Sequence, residues 1–225
     1  MKKYFIGFSL LLIAATASAQ MEAGIGVKGG LNLSQFKVLY EADIANEGKS
    51  YTSKPGFHAG VFAQLKIKNL TIQPELLFSQ QGSYFKYYYA NNGYDEKWTA
   101  DFNYFTIPLN VKYTLLSLDE GSLNVQAGLQ YSSLLSAKAN YYDFDGDGAQ
   151  HRGEIVDVKK DFAKSDLSAQ LGLGWELPMG LSMDIRYYLG LQIITLDNQG
   201  NRYEYGYKNQ LFQVSVAYRL FRFDL

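Results

Sequence analysis

Alternation of apolar and polar side chains is the strongest signal in the chain, and it is clearest over residues 167–193. Leu167, Ala169, Leu171, Leu173, Trp175 and Leu177 take alternate positions, with Ser168, Gln170, Gly172, Gly174 and Glu176 between them. After Pro178-Met179-Gly180 the period of two resumes. Leu181, Met183, Ile185, Tyr187, Leu189 and Leu191 share one face, and Ser182, Asp184, Arg186, Tyr188, Gly190 and Gln192 share the other. A period of two is that of a β-strand, and two such runs across a short glycine turn predict an antiparallel hairpin. The length of each run matches the ~9–11 residues a tilted strand needs to cross a bilayer.

The same alternation recurs at 24–34, 56–67, 70–79, 102–115, 123–132 and in the last fifteen or so residues, which makes eight predicted strands. Lys68-Asn69, 117–122 and 178–180 are short connections; 36–54, 82–101, 138–164 and 195–207 are long, polar and aperiodic. Long and short connections therefore alternate. That is the asymmetry of an outer-membrane barrel, with short periplasmic turns, long external loops, both ends periplasmic and an even strand number. Pro74 and Pro108 fall inside strands, where a missing N–H predicts a bulge or an edge.

Alternation alone does not say which face is inside. A lipocalin-like soluble barrel would turn the apolar face inward. Here the apolar face is uniformly large, while the polar face carries glycines that suit a crowded lumen, so the apolar face is assigned to lipid. The predicted fold class is all-β: an eight-stranded antiparallel up-and-down transmembrane β-barrel. Tyr84, Phe85, Tyr87, Tyr88, Tyr141, Tyr142, Tyr203, Tyr205 and Tyr207 would form an outer aromatic belt, with Tyr113 and Trp175 at the opposite ends of the strands.

Composition adds an address. Lys2 and Lys3, the apolar run 4–14 and Ala17-Ser18-Ala19 fit a cleaved export signal over 1–19, leaving 20–225 as one barrel domain. The chain has no cysteine, which excludes disulfides, a lipid-modified N-terminal cysteine and thiol catalysis. Removal of 1–19 takes Lys2 and Lys3 with it and leaves 19 basic against 22 acidic residues, a balance that argues against a nucleic-acid partner.

Three constellations could carry chemistry. Lys28, Lys66, Glu75, Lys112, Glu176, Asp184, Arg186 and Arg219 share the inward parity. Charges in a narrow lumen must be paired or hydrated, so they predict an ion-pair plug, or alternatively a gated pore or proton path. Asp143, Asp145, Asp147, the Ala149 carbonyl and Glu154 match a calcium-loop spacing with Gly148 at the turn, although Gln150 replaces the usual aliphatic residue; the plainer reading is an acidic surface loop. His58 and His151 are the only histidines. His58 faces inward and is expected to be a hydrogen-bonded lumen residue rather than a general base.

The chain resembles the PorT-like outer-membrane barrels of Bacteroidetes and, in architecture, the small OmpA/OmpX barrels. The resemblance runs through Gly26-Val27-Lys28-Gly29-Gly30-Leu31-Asn32, Tyr104-Phe105-Thr106-Ile107-Pro108-Leu109, Gly172-Leu173-Gly174-Trp175-Glu176 and Arg186-Tyr187-Tyr188-Leu189-Gly190-Leu191. It implies an integral outer-membrane protein and, as one role, an accessory part of a secretion or assembly machine. The residues themselves point to a non-enzymatic barrel in outer-membrane lipid whose external loops bind a protein, ligand or surface. A small pore and an outer-leaflet lipid hydrolase are the other readings, the latter lacking a lipid-facing Ser–His pair.

Overall fold

The computed structural model describes residues 21–38, 50–89, 94–144, 150–197, 199–203 and 206–225; the export segment expected at 1–19 lies outside them. The described strands are β1 (Met21–Val38), β2 (Ser50–Ile67), β3 (Leu70–Tyr89), β4 (Tyr94–Leu118), β5 (Gly121–Phe144), β6 (Gln150–Asp157), β7 (Ser165–Glu176), β8 (Leu181–Gly190) and β9 (Tyr207–Asp224). Each pairs antiparallel with its neighbours, and β1–β2–β3–β4–β5–β7–β8–β9 closes back onto β1. Eight strands form the ring, and β6 pairs with β5 beyond its rim. No helix among the described residues is long and apolar enough to cross a membrane, and the crossing is made by strands.

The short turns follow local backbone chemistry. Lys68 turns the β2–β3 hairpin in the left-handed region (φ 54°). At the β7–β8 turn the N–H of Gly180 donates to the Leu177 carbonyl (3.0 Å), and its φ of 86° favours glycine. Glycine is required for a different reason at Gly26 and Gly30. A Cβ there would collide with the Tyr218 and Val214 carbonyl oxygens of β9, and would meet the Phe62 ring and His58 imidazole at 2.5 and 2.7 Å, so neither the neighbouring strand nor the lumen rings leave room for a side chain.

Through most of the wall the usual burial rule is reversed. Leu31 and Leu171 are 68% and 67% exposed, whereas Asn32 and Arg186 are 0% exposed. Toward the end that carries the long connections this polarity switches back. On β1, Leu33 points out and Ser34 in, but at Phe36 and Lys37 the ring is inside and the ammonium outside. On β9, Val214 is outside and Ser215 inside; beyond them Leu211 is inside and Gln210 outside. On β5, Tyr131 and Ser132 give way to buried Ala137 and exposed Lys138. The switch marks where hydrocarbon ends. Below it lipid bathes the wall; above it water does.

This switch corrects two expected loops. Residues 82–101 are largely strand, with β3 and β4 paired as far as Tyr89 opposite Tyr94. Residues 138–164 include the last seven residues of β5 and all of β6. Once outward positions become polar, the pattern no longer resembles a membrane strand although the ladder continues. The prolines are a second correction. Pro74 pairs with Leu109 and Pro108 with Gln130 without a register shift, while irregularities lie at Ile25/Gly26, Ser53/His58 (a span that holds Pro55), Asn103/Tyr104, Thr114/Leu116 and Asn140/Tyr142.

Under the long connections, Phe36, Ala100, Phe102, Tyr104, Leu134, Ala137 and Ile194 form an apolar core, with Phe85, Val158, Phe162 and Tyr207 packed against it. The Phe102 ring stands edge-on to Phe162 (centroids 4.6 Å apart) and tilted to Phe36 (5.2 Å). Phe85 and Tyr207, expected in an aromatic belt, instead pack against Phe36. Tyr205 lies outside the described residues.

Candidate functional site: the lumen

Mid-barrel, alternate residues of β1, β3, β4 and β8 project into one space. Lys28 Nζ lies 2.9 Å from Asp184 Oδ2 and 3.4 Å from Glu75 Oε1. The Arg186 guanidinium grips Glu75 with both terminal nitrogens (3.0 Å to Oε2, 2.8 Å to Oε1), the fork geometry that makes such pairs strong, and lies 3.4 Å from Asp184. Lys112 Nζ stands 3.6 Å from Asp184 Oδ1. Amides complete the shells: Gln126 donates to Asp184 (2.7 Å), and Gln73 and Asn110 donate to Glu75 (2.7 and 3.0 Å). The side chains of Lys28, Glu75 and Arg186 have no solvent exposure.

The network continues toward the outer end. Arg186 donates to the Tyr188 hydroxyl (3.4 Å), which donates to Gln213 Oε1 (3.2 Å), and Gln213 donates to Asn32 Oδ1 (3.1 Å). His58 joins Asn32 through Nδ1 (2.9 Å) and Ser215 through Nε2 (3.0 Å). Ser215, His58 and Asn32 have the hydrogen-bond spacing of a nucleophile, base and orienting group. All three are buried in the lumen, however, with the imidazole seated against Gly30. With Ser215 1% exposed, the array forms a packed hydrogen-bond chain. Just below the apolar core, Asn209 bonds Asp166 (2.9 Å) and the Tyr104 hydroxyl (3.4 Å).

The eight charged residues of inward parity therefore divide into two groups. Lys28, Glu75, Lys112, Asp184 and Arg186 meet mid-barrel. Glu176, Arg219 and Lys66 lie at the short-turn end. There Arg219 pairs with Glu176 (3.3 Å) and with Glu22, and Glu22 also pairs with Arg222 (3.0 Å). Lys66, Glu22 and Arg222 help line a vestibule of about 770 Å³. Periodicity carried no hint of Glu22 or of the apolar core at Phe36, because both lie beyond the part of β1 that shows clean alternation.

The calcium-loop residues are only partly in view. Asp145, Asp147 and Ala149 lie outside the described residues; Asp143 stands opposite His151 in the backbone register of the β5–β6 hairpin, and Glu154 lies further along β6. Among the described residues no group of three or more His, Asp or Glu side chains is gathered as a metal ion requires.

With this geometry in hand, the protein can be set beside known ones. No curated protein sequence matches the chain. Among solved structures, Neisserial surface protein A is 12% identical, with 88% of this chain and 99% of that one covered at a TM-score of 0.43. Ail of Yersinia pestis is 15% identical, with 90% and 98% covered at 0.43. OprG of Pseudomonas aeruginosa is 8% identical, with 92% and 97% covered at 0.45. Residues 18–195 match the outer membrane protein beta-barrel domain. The protein belongs to that family and is an integral β-barrel of the outer membrane.

Proposed function

We propose that this is a closed, non-enzymatic barrel that serves as a rigid membrane mount for a binding surface at its outer end. One observation carries the proposal: the lumen is filled twice, by the Arg186–Glu75–Lys28–Asp184 network and, above it, by the apolar core around Phe102. Eight strands leave an interior only wide enough for side chains, so a filled lumen disfavours a diffusion pore. Burial of Ser215 and His58 disfavours a hydrolase. What remains available to a partner is the outer end, where the β3–β4 and β5–β6 hairpins extend past the ring.

Reconstitution in planar bilayers tests closure. The expected record shows no stable single-channel openings, and ion-selective openings would return the pore. Crosslinking on intact cells tests the binding surface. The wild type should capture a surface partner that a variant with the β5–β6 hairpin replaced by a tight turn does not.

A second reading, an accessory barrel of a secretion or assembly machine as in the PorT-like proteins, draws support from the vestibule at the short-turn end. Its lining by Glu22, Lys66, Lys68, Arg222 and Asp224 suits a charged periplasmic segment. Co-purification of a periplasmic partner that is lost on Lys66→Glu with Lys68→Glu, but kept on hairpin removal, would favour that reading.

A further inference from the structure

We infer that the outer end of the seam between β1 and β9 binds the phosphorylated headgroups of outer-leaflet lipid. The outward face of this seam is a ladder of matched pairs: Leu31 opposite Val214, Leu33 opposite Phe212, Gln35 opposite Gln210, then Lys37 opposite Lys208. Two apolar rungs are followed by an amide rung, closed by a hydrogen bond from Gln35 to Gln210 (3.1 Å), and then by a cationic one. That order follows the depth profile of a bilayer leaflet, from hydrocarbon through interface to headgroup.

Spacing agrees with this placement. Lys37 lies four residues beyond Leu33, ~13 Å of strand, or about 10 Å of height at the usual barrel tilt. The headgroup layer above the hydrocarbon is roughly 6 Å deep, within reach of a lysine stem bent toward the membrane.

The cationic rung is itself the anomaly. Like charges directly opposite each other on neighbouring strands are destabilising. Here neither lysine has an ion-pair partner among the described residues. The next two ring positions continue the sign. Gln210 opposite Leu189 sets the top of β8 beside Lys208, and Arg202 is held there by Gln192 (3.1 Å) and by the Ser165 carbonyl (2.8 Å), next to exposed Lys164. Among the described residues, Asp166 faces inward to Asn209 (2.9 Å), although close enough for Arg202 and Lys208 to act on its charge, and Asp197 accepts the N–H groups of its own turn. A phosphate presents several oxygens on one centre and can accept from both lysines at once, which converts a repulsive rung into a bridged one.

The test compares the folded wild type with Lys37→Gln/Lys208→Gln in vesicles of phosphatidylcholine alone and in vesicles with a minor fraction of lipid A, a diphosphorylated glycolipid. Lys138→Gln serves as control, since Lys138 already lies between Asp101 and Asp157 in the ladder. Lipid A should raise the melting temperature of the wild type and of the control by several degrees, and the double variant should lose most of that rise. In phosphatidylcholine alone the double variant should melt at or above the wild type, because a repulsion has been removed. An equal lipid A effect in all three proteins overturns the inference. So does a double variant that is weaker in phosphatidylcholine alone, which would make the lysines structural. If inorganic phosphate reproduces the full rise, the site belongs to free phosphate and the lipid assignment falls.

Discussion

Two regions of one lumen solve the same packing problem in opposite ways. Mid-barrel, the inward positions are Lys28, Glu75, Asp184 and Arg186; nearer the outer end they are Phe36, Phe102, Ala137 and Leu211. The strands and their pairing are continuous through both. What differs is the medium outside the wall. Where hydrocarbon bathes it, apolar residues gain nothing by turning inward, so they face lipid, and the narrow interior is filled by polar groups that satisfy one another. Where water bathes the wall, the hydrophobic effect returns and the interior becomes an ordinary apolar core. The polar region specifies geometry through directed bonds, and the apolar region closes the mouth by packing.

The comparison can be broken most directly in the polar region. Arg186→Met leaves Glu75 without its bidentate partner, and breaking a buried pair costs about 3–5 kcal/mol. Urea titration of folding into lipid vesicles should show the whole barrel weakened. Adding Glu75→Gln should restore part of the loss; no restoration would mean that Arg186 acts by bulk rather than charge.

Phe102→Ala should cost about 3–5 kcal/mol as well, but locally. Heat-modifiable gel mobility should survive, while protease should cut the β3–β4 and β5–β6 hairpins faster. If the transmembrane barrel is lost with the core, the two regions are one cooperative unit and the contrast between them is false.

Inverting the lipid face sharpens the comparison further. Leu173→Arg places a charge against hydrocarbon at a cost of roughly 2–4 kcal/mol, whereas Ile155→Arg, exposed on β6 above the polarity switch, should be nearly silent in the same refolding assay. Equal damage at both sites would move the membrane boundary outward.

The smallest effect lies outside both regions. Asp197 accepts the backbone N–H groups of Asn201 (2.8 Å) and Gln199 (2.9 Å), and these bonds hold its carboxyl below the usual carboxylate range. A lowered folded-state pKa contributes stability above the ordinary value of ~3.9, lost as pH falls through the depressed one. Protection of the Gln199 and Asn201 amides, measured against their intrinsic exchange rates, should fall only in that acid range, and Asp197→Asn should remove this pH dependence without touching the barrel.

Much of this was legible in the chain. A period of two, interrupted by short and long connections in turn, determined eight membrane strands, their inward and outward faces and the inward set Lys28, Glu75, Lys112, Asp184 and Arg186. Those features are local, since a strand's parity is written in its own residues. Three things were decided only by the closed ring. Which charge meets which depends on register between strands as distant in sequence as β3 and β8, so the grip of Arg186 on Glu75 has no local signature. The same holds for Lys37 facing Lys208, which requires β9 to close on β1. The apolar core above the membrane was hidden because its strands reverse the pattern that identified the others. Phe36 and Ala137 stand where alternation had seemed to end, and only the wall around them shows that they point inward.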